Sequence, residues 1–219
     1  MKSKALILLT SVLLFSSCVV KSLQPFYKTE DLSYNEKLIG NWTDQKNDIW
    51  TVTSVKEEFV KNQKKEEKPS EDDLKAFETY KDGYIINYTK KNSEALFIAM
   101  PFKVNEYLFV DFTPFEYGSN ELNGLAAAHL LTTHSTAYVE MNEDGSITLK
   151  WLSEKAINNL MKENKLRIKH EKTGVNEDLV LTAPSEELHN FLKKFMTLDF
   201  DSKWDNDDVY TLKPRNARP

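Results

Sequence analysis

Ala95-Leu96-Phe97-Ile98-Ala99-Met100-Pro101-Phe102-Lys103-Val104, then Asn105-Glu106, then Tyr107-Leu108-Phe109-Val110-Asp111-Phe112, is the stretch whose reading decides the fold. With a period of two, Ala95, Phe97 and Ala99 lie on one face and Leu96, Ile98, Met100 and Phe102 on the other. Both faces are apolar, so this strand is covered on both sides or lines an enclosed cavity. Asn105-Glu106 supplies a short turn, which makes the two runs antiparallel neighbours.

Working outward, the same alternation returns on either side. Upstream, Leu38 to Thr43 opens a first strand and Asp48 to Val55 makes a second, with Gln45-Lys46-Asn47 between them. Gly83 to Thr89 is a third, with Tyr84, Ile86 and Tyr88 on one face. Downstream, Ala137, Val139 and Met141 point one way, Asn142-Glu143-Asp144-Gly145 turns, and Ile147, Leu149 and Trp151 return on the same face. Gly145 can take the positive φ that closes such a turn. A one-residue slip would expose both apolar faces, so the register of this hairpin is well specified. Leu179 to Leu181 and Val209 to Leu212 are short late strands, and Pro114 to Gly124 reads as a loop.

Helical periodicity is confined to three places. Ser70 caps a short helix with Glu71, Asp72 and Asp73 in its first turn and Leu74 and Phe77 toward the body. Ser153 caps a helix to about Glu163, carrying Ile157, Leu160 and Met161. From Ser185 onward Leu188, Phe191, Leu192, Phe195 and Met196 form one continuous stripe for packing on a sheet. The fold expected is mainly β: an antiparallel, lipocalin-like barrel or half-barrel with two or three flanking helices. The domain plan is a signal at 1–17, a tether at 18–37, one β-rich domain at 38–213 and a loose tail at 214–219. Residues 56–82, rich in Lys and Glu, read as a charged insertion and solvated surface excursion.

Gly40-x-Trp42 at the opening of a β meander, with a late helix and last strand, resembles the lipocalin-like barrels. That resemblance implies a Trp plugging the closed end beneath a stacked Arg, for which Arg167 is the candidate. A second resemblance spans roughly Ser22 to Phe195. Its residues are Ser22 to Tyr27 with Glu30-Asp31-Leu32, Leu38-x-Gly40-x-Trp42, Trp50, His129-Leu130 with His134, Trp151-Leu152, His170-Glu171, and Leu181-Thr182-Ala183 leading into Glu186-Glu187-Leu188. In these features the chain is similar to a set of uncharacterised bacterial envelope lipoproteins. The likeness implies a compact β-rich domain with no assigned activity; Pro184 departs from it, standing where a capping Ser or Thr would be more natural.

The beginning of the chain gives an address. Lys2 and Lys4 precede an apolar run, Ala5 to Phe15, and then Ser16-Ser17-Cys18. The run is too short to cross about 30 Å of hydrocarbon and ends in small residues, as a cleaved secretion signal does. The segment resembles a bacterial lipoprotein signal, with Cys18, the only cysteine, as the residue that receives lipid. Two or more acyl chains give stable anchoring. The expected location is the cell envelope, by default the periplasmic face of an outer membrane. Net charge is −5, or −7 once Lys2 and Lys4 leave with the signal. Basic residues are almost all Lys, with Arg only at 167, 215 and 218. An acidic chain of this kind with no basic stripe is a poor candidate for nucleic-acid binding or for electrostatic adhesion to anionic lipid.

Chemistry is sparse. His129 and His134 are an odd distance apart, so on one strand they face opposite ways. His134 stands out among Thr132, Thr133, Ser135 and Thr136. His170-Glu171 lacks the second His of a helical zinc motif, and His189 follows the stripe residue Leu188. Asp199, Asp201, Asp205, Asp207 and Asp208 suggest calcium, but Trp204 and Tyr210 occupy the places where a calcium loop needs Gly and Glu. Asp111 with Glu116 is an acid pair only on paper. No nucleophile elbow or phosphate loop occurs, and no cofactor or metal is expected.

The sequence therefore leads to a non-enzymatic, membrane-anchored lipoprotein. It carries a small apolar or amphipathic molecule if the inner faces of 95–104 and 106–112 line a pocket. Alternatively the barrel is filled by its own side chains, as small barrels commonly are. The chain is then an interaction, inhibitor or scaffold protein of the envelope with an exposed patch near Phe26-Tyr27 or Phe115-Tyr117. A hydrolytic enzyme would need polar residues converging in a cleft.

Overall fold

The alternating residues of the central strands close on themselves. The computed structural model describes residues 19–63, 69–117, 130–175, 177–200, 203–204 and 208–215. The strands are β1 (Lys21–Ser22), β2 (Gly40–Thr43), β3 (Ile49–Ser54), β4 (Tyr84–Lys90), β5 (Ser93–Val104), β6 (Tyr107–Tyr117), β7 (Ser135–Met141), β8 (Ile147–Trp151), β9 (His170–Thr173), β10 (Asp178–Leu181) and β11 (Val209–Pro214). Eight of them form a closed antiparallel barrel in the order β11-β2-β3-β4-β5-β6-β7-β8. Four helices flank it: α1 (Val55–Gln63), α2 (Glu71–Tyr80), α3 (Glu154–Lys162) and α4 (Ser185–Thr197). The chain is mainly β, a lipocalin-like barrel with flanking helices.

Register follows the apolar pattern. Ala137 pairs with Trp151, Val139 with Leu149 and Met141 with Ile147, as the alternation requires. Gly145 sits at φ 80 in the turn that joins them. Gly40, at φ 147, starts β2 in a backbone conformation that side chains disfavour. The seam is closed by the last strand, β11, which pairs with β8 and with β2.

Two cores share one wall. Inside the barrel, Trp42, Trp50, Val52, Tyr84, Ile86, Ala99, Val110, Phe112, Leu149 and Trp151 pack together. Outside it, Phe102, Val104 and Phe109 project from β5 and β6 into a second core with Ile157 and Leu160 of α3 and Leu188, Phe191, Leu192 and Phe195 of α4. The two-sided apolar strand is thus covered on both faces. Ser153 caps α3 by accepting from the Ala156 amide. Pro184 precedes α4 and makes no side-chain cap, so that helix is held by its buried stripe.

The segment expected as a tether is part of this second core. Val20, Ser22 and Phe26 are fully buried. β1 adds in parallel to β10, which pairs antiparallel with β9, making a small sheet beside the barrel. A run as apolar as Pro25-Phe26-Tyr27 gains more from the outer wall of β5 than from water. The insertion at 56–82 is largely solvent-exposed, as expected, with no buried residue in the second of its helices and with Leu74, expected toward the body, exposed. Its ends fold as α1 and α2, joined face to face by Phe59 and Phe77 with ring centroids 4.2 Å apart. Ser70 and Asp73 form a capping box at the start of α2. Arg167 does not stack on Trp42: its guanidinium is exposed and donates to Asn164, while the Trp42 indole donates to the Leu38 carbonyl.

Replacing Phe26 by Ala is expected to cost about 3–5 kcal/mol in urea unfolding, the usual loss for a buried Phe, whereas a tether residue would cost less than about 0.5 kcal/mol. His189 supplies a second expectation. Its ring is 2 % exposed, with Asp31 at 3.6 Å, and Lys28, Lys193 and Glu186 also face it. Desolvation pulls its pKa below the ordinary value, only partly opposed by Asp31. The folded state therefore prefers the neutral imidazole, and stability is lost as pH falls below the free-chain value of about 6.5. Thermal midpoints should drop between about pH 7.5 and 5.5, and drop less in His189→Leu.

Candidate functional site

Three places among the described residues can hold a function, and their geometry separates them. The first is the barrel interior. Its residual cavity is about 30 Å³, lined by Leu38, Trp42, Trp50, Val52, Tyr84, Ile86, Val110, Phe112, Ile147, Leu149 and Leu212. Such a space takes on the order of one or two waters. The pocket expected between the inner faces of β5 and β6 is closed by aromatic rings: Trp151 lies 5.1 Å from Phe112, 6.2 Å from Trp50 and 5.4 Å from Tyr210.

The second is a knot of polar groups on the outer wall. Asp111 is on the face of β6 that carries Phe109, and its side chain is fully buried. One carboxylate oxygen accepts the Phe26 amide at 2.8 Å. The other lies 2.7 Å from His134 Nδ1, which is itself 2.9 Å from the Thr113 hydroxyl. His134 also exchanges two backbone hydrogen bonds with Ser22, each 2.8 Å. Burial pushes the Asp111 carboxyl up, and its bonds to His134, Phe26 and Thr113 oppose that rise. The neighbouring Tyr27 phenol is pushed up to about 12, first by burial and then by the Asp111 charge, so it stays protonated. An Asp–His pair is a common catalytic element. Here one Asp111 oxygen holds the Phe26 amide and the His134 backbone holds Ser22, and the arrangement acts as a clasp on residues 22–26.

The third is a cleft of about 810 Å³ between the helical insertion and the barrel. Ile85 of β4, Ile98 of β5 and Phe115 of β6 make its floor, and Val55, Phe59, Ala76, Phe77 and Tyr80 its walls. Phe115 reaches the cleft through a bulge: Leu96 pairs with Glu116 and Phe97 with Pro114, so residue 115 has no partner and turns outward. It is 65 % exposed. The rim is polar, with Glu58, Asn62, Gln63, Ser70 and Asp73. Hydrogen bonds from the Ser70 hydroxyl and amide hold the Asp73 carboxyl below the usual range, and Glu58 is paired with Lys61. The amides of Asn62 and Gln63 complete an edge suited to a polar head group.

Residues singled out in the sequence are scattered. Of the histidines, His134 joins Asp111, His170 bonds the Ile168 carbonyl, and His189 is on the buried face of α4. Cys18, His129, Asp201, Asp205 and Asp207 lie outside the described residues, as does the side chain of Glu116. Among the described residues no three His, Cys, Asp or Glu side chains converge as metal ligands, and no helix is long and apolar enough to cross a membrane. Sequence reasoning missed the cleft. Its only trace was the pair Phe59 and Phe77, which face each other across a segment read as solvated. Comparison with family models, curated proteins and solved structures gives no match for this chain.

Removing the clasp by Asp111→Ala leaves the Phe26 amide and His134 facing a void, which should cost about 2–4 kcal/mol. Amide exchange at residues 22–27 should accelerate while strands β3 and β4 keep their protection.

Proposed function

We propose that the chain is a non-enzymatic lipoprotein of the cell envelope, acylated at Cys18, that binds an amphipathic molecule in the cleft between α1, α2 and the barrel wall. The observation that carries this reading is the contrast between the two spaces: about 30 Å³ inside the barrel and about 810 Å³ outside it. The outer volume is in the range of small-molecule sites, roughly 300–1,000 Å³, and its composition is theirs too: mostly apolar lining with a few placed polar groups. Ile85, Ile98 and Phe115 would take an alkyl or aromatic body. Asn62 and Gln63 would face its polar end. The charged insertion is thus read as one jaw of a binding site, and the barrel as the rigid wall against which it works.

The address rests on the Ala5 to Cys18 signal pattern. An outer-membrane location on its periplasmic face is part of the same proposal. The Asp111–His134 pair supports a structural role for that knot, because Asp111 holds the Phe26 amide and the His134 backbone holds Ser22.

Native mass spectrometry of the chain purified from its own cell should find a co-purifying small molecule. Titration with N-phenyl-1-naphthylamine, a neutral fluorescent amphiphile, should give saturable binding. Ala76→Trp, which fills the cleft from an exposed helix position, should weaken it by roughly tenfold or more, equivalent to about 1.4 kcal/mol. Val110→Ala, which enlarges the barrel interior, should leave it unchanged. A probe displaced by the interior substitution and not by the cleft one would refute the proposal.

A further inference from the structure

We infer that residues 27–33 form a flap over His189 that opens when the imidazole gains a proton, an acid-operated latch between two fixed points of the N-terminal segment. The latch involves neither the cleft nor a lipid on Cys18.

The ring sits where three elements meet. His189 is on the buried face of α4, 2 % exposed, with its centroid 6.4 Å from that of Phe102 on β5. Its Nδ1 lies 3.6 Å from Oδ2 of Asp31, and neither atom has a hydrogen-bond partner among the described residues. Buried polar atoms left in this way are rare and costly. Charged groups face the ring from the turn, as Lys28 and Asp31, and from α4 itself, as Glu186 and Lys193, while β5 presents the Phe102 ring. The two carboxylates that could compensate an imidazolium are already engaged: the Lys28 ammonium lies 3.4 Å from Asp31 and 3.3 Å from Glu186. A proton on His189 therefore adds a buried cation beside two lysines.

Of the elements packed on this ring, the turn is the one that can yield. Leu188, Phe191, Leu192 and Phe195 fix α4, and Phe102 and Val104 on β5 are fully buried. Residues 27–33 include no buried residue, whereas Phe26 before them and Leu38 after them are buried. The flap is held down by the ion pairs of Lys28, by the Leu32–Phe102 bridge and by the Ser33 amide on the Pro101 carbonyl at 2.9 Å. Solvent-facing ion pairs of this kind contribute little.

On either side the chain is pinned by contacts that do not involve His189. The Phe26 amide donates to Asp111 at 2.8 Å. The Asn35 amide donates to the Tyr84 hydroxyl at 2.8 Å, and that hydroxyl donates to the Asn35 carbonyl at 3.0 Å. Opening is thus confined to the stretch between the pins, and small units of this sort open well below the cost of global unfolding. With the flap closed, burial keeps the imidazole neutral and its pKa depressed. With the flap open, the ring titrates as in a free chain, near pH 6.5. The closed state therefore keeps its full stability above that pH and loses it as pH falls toward the depressed value.

Hydrogen exchange of the full chain, read by mass spectrometry at pH 7.5 and 5.5 and corrected for intrinsic rates, measures the opening. Exchange in 27–33 should accelerate severalfold at pH 5.5, up to a ceiling of about tenfold one unit below the free-chain value. Strands β3 and β4 should not change, and His189→Gln should abolish the acceleration. Unchanged or slower exchange in 27–33 means that the proton tightens the turn through Asp31, and overturns the latch. So does an acceleration that His189→Gln retains, or one shared equally by β3 and β4. In the unsubstituted chain, NMR should give one common pH midpoint for the His189 ring and the Leu32 amide; separate midpoints would detach the flap from this histidine.

Discussion

The wall formed by β5 and β6 is buried on both faces, and the rest of the molecule is arranged by that fact. Phe112 and Ala99 face inward to a ring of tryptophans, while Phe102 and Phe109, stacked with centroids 5.7 Å apart, face outward. An outer face this apolar cannot be left in water. The N-terminal segment, α3 and α4 are the cover it recruits, and the small β1-β10-β9 sheet is how the cover is tied together. Asp111 is a fully buried carboxyl at that interface, held there by His134 and the Phe26 amide, with Thr113 bonded to the same imidazole nitrogen.

Filling the interior with aromatic rings moves any ligand site to the surface. A small barrel packed with Trp42, Trp50, Trp151 and Phe112 is a rigid post, not a cup. The place where the chain departs from this economy is the insertion between β3 and β4. There, two short helices with no fully buried residue in α2 stand away from the wall and leave the cleft.

Much of the barrel was legible because a period of two is a local signal. Ala137 to Trp151 and Ala95 to Phe112 declare their strands, faces and partners within a few residues of chain. The closure of β11 onto β2 was not, since six residues at 209–214 say nothing about which distant edge they join. Residues 19–38 were legible only in part: the apolar knot Pro25-Phe26-Tyr27 inside the expected tether points to packing on the body, where Phe26 is buried, but β1 has two residues, too few to show alternation. The clasp was half visible. His134 stood out as a histidine in a polar setting, while Asp111 was named only as an acid paired on paper with Glu116, and only the fold brings His134 and Asp111 to 2.7 Å. The cleft depends on a bulge that turns Phe115 outward and on two helices whose low apolar content looks like solvated surface.

The barrel is sealed by its final strand. Val209 to Pro214 must find β8 on one side and β2, more than 160 residues earlier, on the other. Until they do, two strand edges stand open with unpaired amides, which is the condition that invites pairing with another chain. Contacts of such sequence separation also slow folding. A growing polypeptide of this kind stays unsealed until residues 209–214 have emerged, and through that delay its open edges need shielding from other chains.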